Sequence, residues 1–309
     1  MKIVFFGSDD FAAVHLKALI KERHQVIACV TQSDSRQGRG MKVVVSPIKA
    51  IAQQQGLLCL QPSTLKEPQI IAELSSLAAD IFVVVAYGKL LSQEILDIPK
   101  IFCVNVHGSL LPKYRGAAPI NWAILNGDKE TGISIQKMSL ALDAGDIIAQ
   151  VRIPITEHAN AQELREIMAY EGAELLCRTL KDIEIGDYTL TPQDDEQSNY
   201  ACKLTKEMGR IDWTKHACSI FNQVRGLQPW PGSYTMFQNR TLKVLQAQVL
   251  ESAGSGQPGQ VTQIDKRGIV VSCGNGALLI TLVHPEASKI MPAVSFVAGH
   301  KIKVTDAFN

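Results

Sequence analysis

Four short apolar runs set the first constraint on this chain: KIVFF at 2–6, VIACV at 26–30, IFVVVA at 81–86 and IFCVNV at 101–106. Helix-length segments such as DFAAVHLKALIKER separate them. Runs that are apolar at nearly every position belong to strands covered on both faces, and their alternation with helical patterns calls for a mostly parallel sheet. The first half is therefore expected to be an α/β, Rossmann-like layer structure. Two more strand-like stretches, GISIQKMS at 132–139 and IIAQVRIPI at 147–155, precede a helical pattern from Ala161 to about Asp182. Its apolar face is expected to carry Leu164, Ile167, Met168, Ala169, Leu175, Leu176 and Leu180.

The texture then changes. GDYTLTPQDDEQSNYA at 186–201 is polar, acidic and turn-rich, which marks a linker. Beyond it a helical segment, TKHACSIFNQVRGL, and strand-like runs TLKVLQAQVL, GIVVSC and GALLITLV are punctuated by Gly, Asn and Pro, the pattern of a small OB-like β-barrel. The expected division is an N-terminal domain at 1–188, a linker at 189–205 and a barrel-like domain at 206–309. Charge divides near the same line. Residues 206–309 hold 11 Lys and Arg against 6 Asp and Glu, a net of +5, out of 31 and 30 in the whole chain. The rest carries 20 against 24, a net of −4. A basic barrel suits a polyanion, and on charge alone it suits a solvated surface equally well.

The seven cysteines are scattered and never spaced as C-x-x-C, so neither a disulfide framework nor a zinc site is expected. No other His, Cys or acidic spacing suggests a metal. The start, MKIVFFG, lacks the features of a secretory signal, and no apolar run approaches the roughly 18 residues of a membrane span. These features lead to the expectation of a cytoplasmic protein. GSDDF supplies one glycine where a dinucleotide fingerprint needs three, which argues against a nicotinamide-dependent enzyme.

The chemistry concentrates in NVHGSLLPKYRGAAP at 105–119. On a strand, residues i and i+2 face the same way, so Asn105 and His107 are expected to enter one space at the carboxyl end of the sheet. An amide and an imidazole there can both donate to an oxygen that gains negative charge. The histidine needs a partner; Asp143 in LDAGD is the candidate, with Asp146 in the same loop as the alternative. A second segment, TQSDSRQGRGMKVVVSPIK, sets Arg36, Arg39, Lys42 and Lys49 against the single acid Asp34. That composition suits phosphate contacts, and also an ordinary solvated loop.

NVHGSLLPKYRGAAP followed by LDAGD resembles the active-site signature of the folate-dependent formyltransferases. The similarity runs through FFGSDDFA, TQSDSRQGRG, SPIKAIA, VVVAYGKLL, KLTKEMGRIDW and QPWPGSY, nearly the whole chain. The GRG loop and the tail domain narrow the resemblance to the branch that formylates methionine on initiator methionyl-tRNA, with 10-formyltetrahydrofolate as donor. The resemblance implies that Asn105 and His107 stabilise the oxyanion and that Asp143 holds His107 and accepts the amine's proton through a water. It implies further that Ser109, Leu110, Leu111 and Pro112 line the folate site, and that Tyr87, Gly88 and Leu90 lend backbone to the pterin pocket. Arg36, Arg39 and Lys42 would contact the tRNA, Arg39 beside the acceptor arm, and the tail would bind tRNA in a monomeric enzyme. The alternative acceptor is an amino-sugar nucleotide, because formyltransferases of that kind pair the same core with a small barrel-like tail. Phe11 fits either a methionyl pocket or the core. Asp9 stands where relatives commonly have proline.

Overall fold

The computed structural model describes residues 1–37, 42–250 and 256–309; the side chains of 35–44 fall outside the description. The chain forms two compact units. The first comprises 1–119, 130–154 and 165–201, and the second 120–129, 155–164 and 202–309.

The first unit begins with β1 (Lys2–Gly7), α1 (Asp10–Lys21) and β2 (Gln25–Val30). Asp9 starts α1, its carboxylate accepting the Ala12 N–H at 3.0 Å, and also pairs with Arg165. A proline at this position could fill neither role. A hairpin, β3 (Ser35–Gln37) and β4 (Lys42–Val44), follows. Then come α2 (Pro47–Gln55), β5 (Leu58–Leu60), α3 (Pro68–Ser76), β6 (Ile81–Val85), the short α4 (Gln93–Leu96) and β7 (Phe102–His107). Two residues, β8 (Arg115–Gly116), precede α5 (Pro119–Leu125), most of which belongs to the second unit, and then β9 (Glu130–Lys137), β10 (Ile147–Pro154) and α6 (Ala161–Ile185).

The main sheet has seven strands in the order β10-β9-β7-β6-β1-β2-β5. Its five strands from β7 to β5 are parallel; β9 and β10 add an antiparallel hairpin at the β7 edge. One core lies between the sheet and α3, built from Val4, Phe6, Val30, Phe82, Val84, Ile70 and Leu74. Along α6, Leu164, Met168, Leu176 and Leu180 are fully buried, whereas Ile167 is 48% exposed. Ile167 sits at the margin of the buried stripe, one helical step away from Met168, so the true face is narrower than the sequence suggests.

The segment 186–201 is bound into the first unit. A single 3-10 turn spans Asp195–Gln197, and β11 (Tyr200–Ala201) pairs in parallel with β8.

In the second unit α7 (Ala217–Gly226) and α8 (Ala293–His300) accompany an antiparallel sheet. Its strands are β12 (Ser233–Phe237), β13 (Arg240–Leu250), β14 (Val261–Asp265), β15 (Gly268–Ser272), β16 (Ala277–Pro285) and β17 (Met291–Pro292). The order is β12-β13-β16-β15-β14, with β17 on β16. The segment 305–309 bonds to both edge strands: Asn309 exchanges two backbone bonds with Met236 of β12, and the Val261 N–H of β14 donates to Asp306. Register shifts in β13, which bend a strand, occur around Gln246. Apolar residues from both helices and every long strand fill the interior, among them Ile220, Val244, Val271, Ile280 and Phe296.

Candidate active site

At the carboxyl end of β7, Asn105 lies opposite Gln136 of β9, and His107 opposite Ser134. Residues directly opposite in an antiparallel pair share a face. Two polar pairs therefore lie side by side on one face of the sheet, alternating along β7 and β9 with Val104, Val106, Ile133 and Ile135. His107 is 5% exposed and Gln136 2%, while Asn105 is half-buried. Among the described residues the Asn105 amide makes no side-chain hydrogen bond, which leaves its donors available to an incoming oxygen.

The imidazole is anchored at one nitrogen and faces a carboxylate with the other. Nε2 lies 2.8 Å from the Tyr114 carbonyl oxygen, and a carbonyl only accepts, so Nε2 carries a hydrogen. Nδ1 faces Asp143 Oδ2 across 3.6 Å, beyond hydrogen-bond range. The hydrogen on Nε2 is thus engaged by Tyr114, and Nδ1 faces a carboxylate.

Asp143, and not Asp146, meets the histidine. Its Oδ2 also accepts the Gly116 N–H at 2.8 Å, and its Oδ1 accepts Gln136 Nε2 at 3.1 Å. Asp146 contributes a backbone carbonyl to the Lys137 N–H. The loop reaches back over the sheet because Gly145 passes so close to β9 that a Cβ there would meet the Lys137 carbonyl oxygen at 1.7 Å. Asp143 itself adopts the left-handed region, φ 51°, which a non-glycine residue holds only when its surroundings enforce it.

The turn after His107 is stapled to β9. Ser109 is fully buried; its hydroxyl donates to the Lys113 carbonyl, and its own carbonyl accepts Ser134 Oγ at 2.7 Å. Ser134 Oγ in turn accepts the Leu111 N–H at 3.0 Å and Gln150 Nε2 at 2.7 Å. Leu110 rests against Gly132, Leu111 is buried and Pro112 is half-buried. Val85 pairs with Val106, so residues 87–90 leave the sheet next to this turn. Tyr87 packs its ring edge on Phe6, and burial pushes its phenol up to about 12. The Tyr87 carbonyl accepts Gln32 Nε2 at 2.7 Å. Gly88 has φ 77°, and Leu90 is 80% exposed.

Phe11 is 5% exposed, with the Arg165 guanidinium 5.0 Å from its ring centre and His15 stacked at 4.8 Å, which is a core environment. The cationic loop is partly described. Arg36 and Lys42 lie on the β3–β4 hairpin, opposite Val43 and Gln37, with their side chains outside the described residues; Arg39 lies wholly outside them. Lys49 pairs with Asp34 at 2.6 Å, so its charge is already matched, and this contact together with Gln61 holds the Asp34 carboxyl below its ordinary range.

Sequence reasoning missed Gln136, Tyr114, Arg115 and Gln193. One signal was present: in GISIQKMS, Ser134 and Gln136 alternate with Ile133 and Ile135, a polar row on a strand otherwise fit for the core. Among the described residues no cluster of His, Cys, Asp and Glu could hold a metal ion, and no helix is long and apolar enough to cross a membrane.

Two family descriptions match the chain: formyl transferase over residues 1–180, and formyl transferase, C-terminal domain, over 203–301. The methionyl-tRNA formyltransferase of Caldanaerobacter subterraneus is 47% identical over 98% of both chains. That of Geobacter sulfurreducens is 42% identical over 98% of this chain and 95% of its own. Among solved structures, HypX from Aquifex aeolicus superimposes with a TM-score of 0.66 at 19% identity, covering 99% of this chain. The chain spans about half of that longer protein, 48%. An N-formyltransferase from Helicobacter canadensis, in complex with folinic acid and dTDP-3-aminofucose, gives 0.67 at 20% identity over 92% of this chain and all of its own. At these identities the structures share the fold.

Proposed function

Since the chain belongs to the formyl transferase family through both its N-terminal and its C-terminal domain, we propose that it formylates the methionyl amino group of initiator methionyl-tRNA, using 10-formyltetrahydrofolate. The acceptor rests on one observation: relatives matched end to end at 40–47% identity carry the methionyl-tRNA name, whereas the sugar-nucleotide enzyme shares only the fold. The +5 tail at 206–309 agrees with a polyanionic acceptor.

The reaction joins a neutral amine to the formyl carbon, develops charge on the formyl oxygen, and moves a proton from the amine to the departing folate nitrogen. Asn105, which makes no side-chain hydrogen bond among the described residues, donates to the oxyanion; one such donor contributes roughly 3–4 kcal/mol of barrier lowering. His107 accepts the amine's proton at Nδ1, and Asp143, 3.6 Å away, stabilises the imidazolium until the proton passes to the leaving nitrogen. Tyr114 keeps the ring in the tautomer this requires. Ser109, Leu110, Leu111 and Pro112, with Tyr87, Gly88 and Leu90 from the neighbouring strand end, form the folate side. Arg36, Arg39 and Lys42 meet the tRNA. We place the enzyme in the cytoplasm, where initiator tRNA is charged, as a monomer.

The test offers the protein 10-formyltetrahydrofolate with either methionyl initiator tRNA or an amino-sugar nucleotide. Formyl-methionyl-tRNA is the expected product; a formylated sugar with untouched tRNA overturns the reading. Raising salt is expected to weaken tRNA binding steeply while leaving folate binding nearly constant.

A further inference from the structure

Gln193 lies in the segment that reads from sequence as a tether, yet its carboxamide is fully engaged. Its Oε1 accepts from Arg115 Nε at 3.1 Å and from Nη2 at 2.9 Å. Its Nε2 donates to the carbonyl oxygens of Asp143, 2.8 Å, and Gly145, 2.7 Å, with the Gln136 Oε1 farther off at 3.4 Å. A guanidinium only donates and a backbone carbonyl only accepts, so these partners fix which way the amide points.

Arg115 is 3% exposed and also donates to Asp195 at 2.7 Å. Its two chain neighbours hold the reacting pair: the Tyr114 carbonyl takes His107 Nε2, and the Gly116 N–H takes Asp143 Oδ2. The three residues 114–116 thus supply an acceptor to the imidazole, a donor to the carboxylate and, through Gln193, a clamp on the loop that carries the carboxylate. That clamp grips the carbonyls of Asp143 and Gly145, on both sides of Ala144, where Asp143 is in the left-handed region.

We propose that Gln193, oriented by Arg115, is a positioning residue for formyl transfer: it locks the turn at Asp143 and so keeps the carboxylate against His107. This rests on reading His107 and Asp143 as the proton-accepting pair. A carboxylate that drifts by about an ångström loses on the order of a hundredfold in rate without altering how substrate binds.

The experiment compares Gln193→Ala, the isosteric Gln193→Glu, Asp143→Asn and the double variant Asp143→Asn/Gln193→Ala, each checked for fold by circular dichroism. Gln193→Glu keeps the acceptor for Arg115 and loses the donor to the two carbonyls. Both single Gln193 variants are expected to lower kcat by about ten- to a hundredfold, with KM for 10-formyltetrahydrofolate within about twofold of wild type. On the Asp143→Asn background, Gln193→Ala is expected to cost less than about twofold more, because there is no longer a carboxylate to position. Wild-type kcat in a folded Gln193 variant overturns the proposal, as does an equal loss on both backgrounds, which marks a purely structural role. Wild-type kcat in Asp143→Asn overturns the underlying reading itself, and the role of Gln193 falls with it.

Discussion

The two units bury polar side chains for different ends. In the second unit Arg225 spends its donors on Asn222 and on the carbonyls of Thr156 and Ala159; Ser233 bonds the Gln223 carbonyl; Thr235 accepts Trp213 Nε1 at 3.0 Å. Each of these satisfies nearby backbone or packing. In the first unit, His107, Gln136 and, through Gln193, Arg115 converge on a single carboxylate and its loop. Buried polarity alone is therefore a poor sign of a site. Convergence on one titratable group, next to an amide that makes no side-chain hydrogen bond among the described residues, is a better one.

The comparison breaks first at the carboxylate. Asp143→Asn is expected to lower kcat by about a thousandfold, and Asn105→Ala by at least about a hundredfold, both with folate affinity roughly intact in a binding titration. Unchanged turnover in either would return that residue to the architectural class. In the second unit, Ile280→Ala, at a fully buried position, is expected to cost about 2–5 kcal/mol in urea unfolding while kcat per folded molecule stays near wild type.

His15 sharpens the contrast from inside the first unit. It is fully buried, Nδ1 donates to the Phe11 carbonyl, and burial lowers its pKa from 6.5 to about 4. The unfolded chain takes up this proton as pH falls through 6.5 and the folded protein does not, so stability is present above pH 6.5 and drains away down to about pH 4. The loss attributable to this residue is roughly 3 kcal/mol. In His15→Gln that part of the pH dependence of urea unfolding is expected to vanish, with turnover at pH 7 retained; a collapsed kcat would place His15 with the site. Smallest is Asp9→Ala, expected to lower stability by about 1 kcal/mol through the lost cap of α1, read from the unfolding midpoint.

The strands of the first unit were legible because a doubly covered strand must be apolar at nearly every position, a local demand written into KIVFF and IFVVVA. Asn105 and His107 were legible for a similar reason, since two-residue spacing alone puts them on one face. The basic tail, its short strands and its turns were equally visible, as periodicity and composition need no knowledge of what lies across the fold.

Four matters were left to the tertiary structure: which acid meets His107, which imidazole nitrogen Tyr114 engages, that Lys49 is spent on Asp34, and that 193–201 grips the site. The partners lie 7 residues apart for His107 and Tyr114, 15 for Asp34 and Lys49, 27 for Gly116 and Asp143, 50 for Asp143 and Gln193 and 78 for Arg115 and Gln193. No local pattern encodes such a meeting; it exists only once the sheet has set its register and the Asp143 loop has folded back over it.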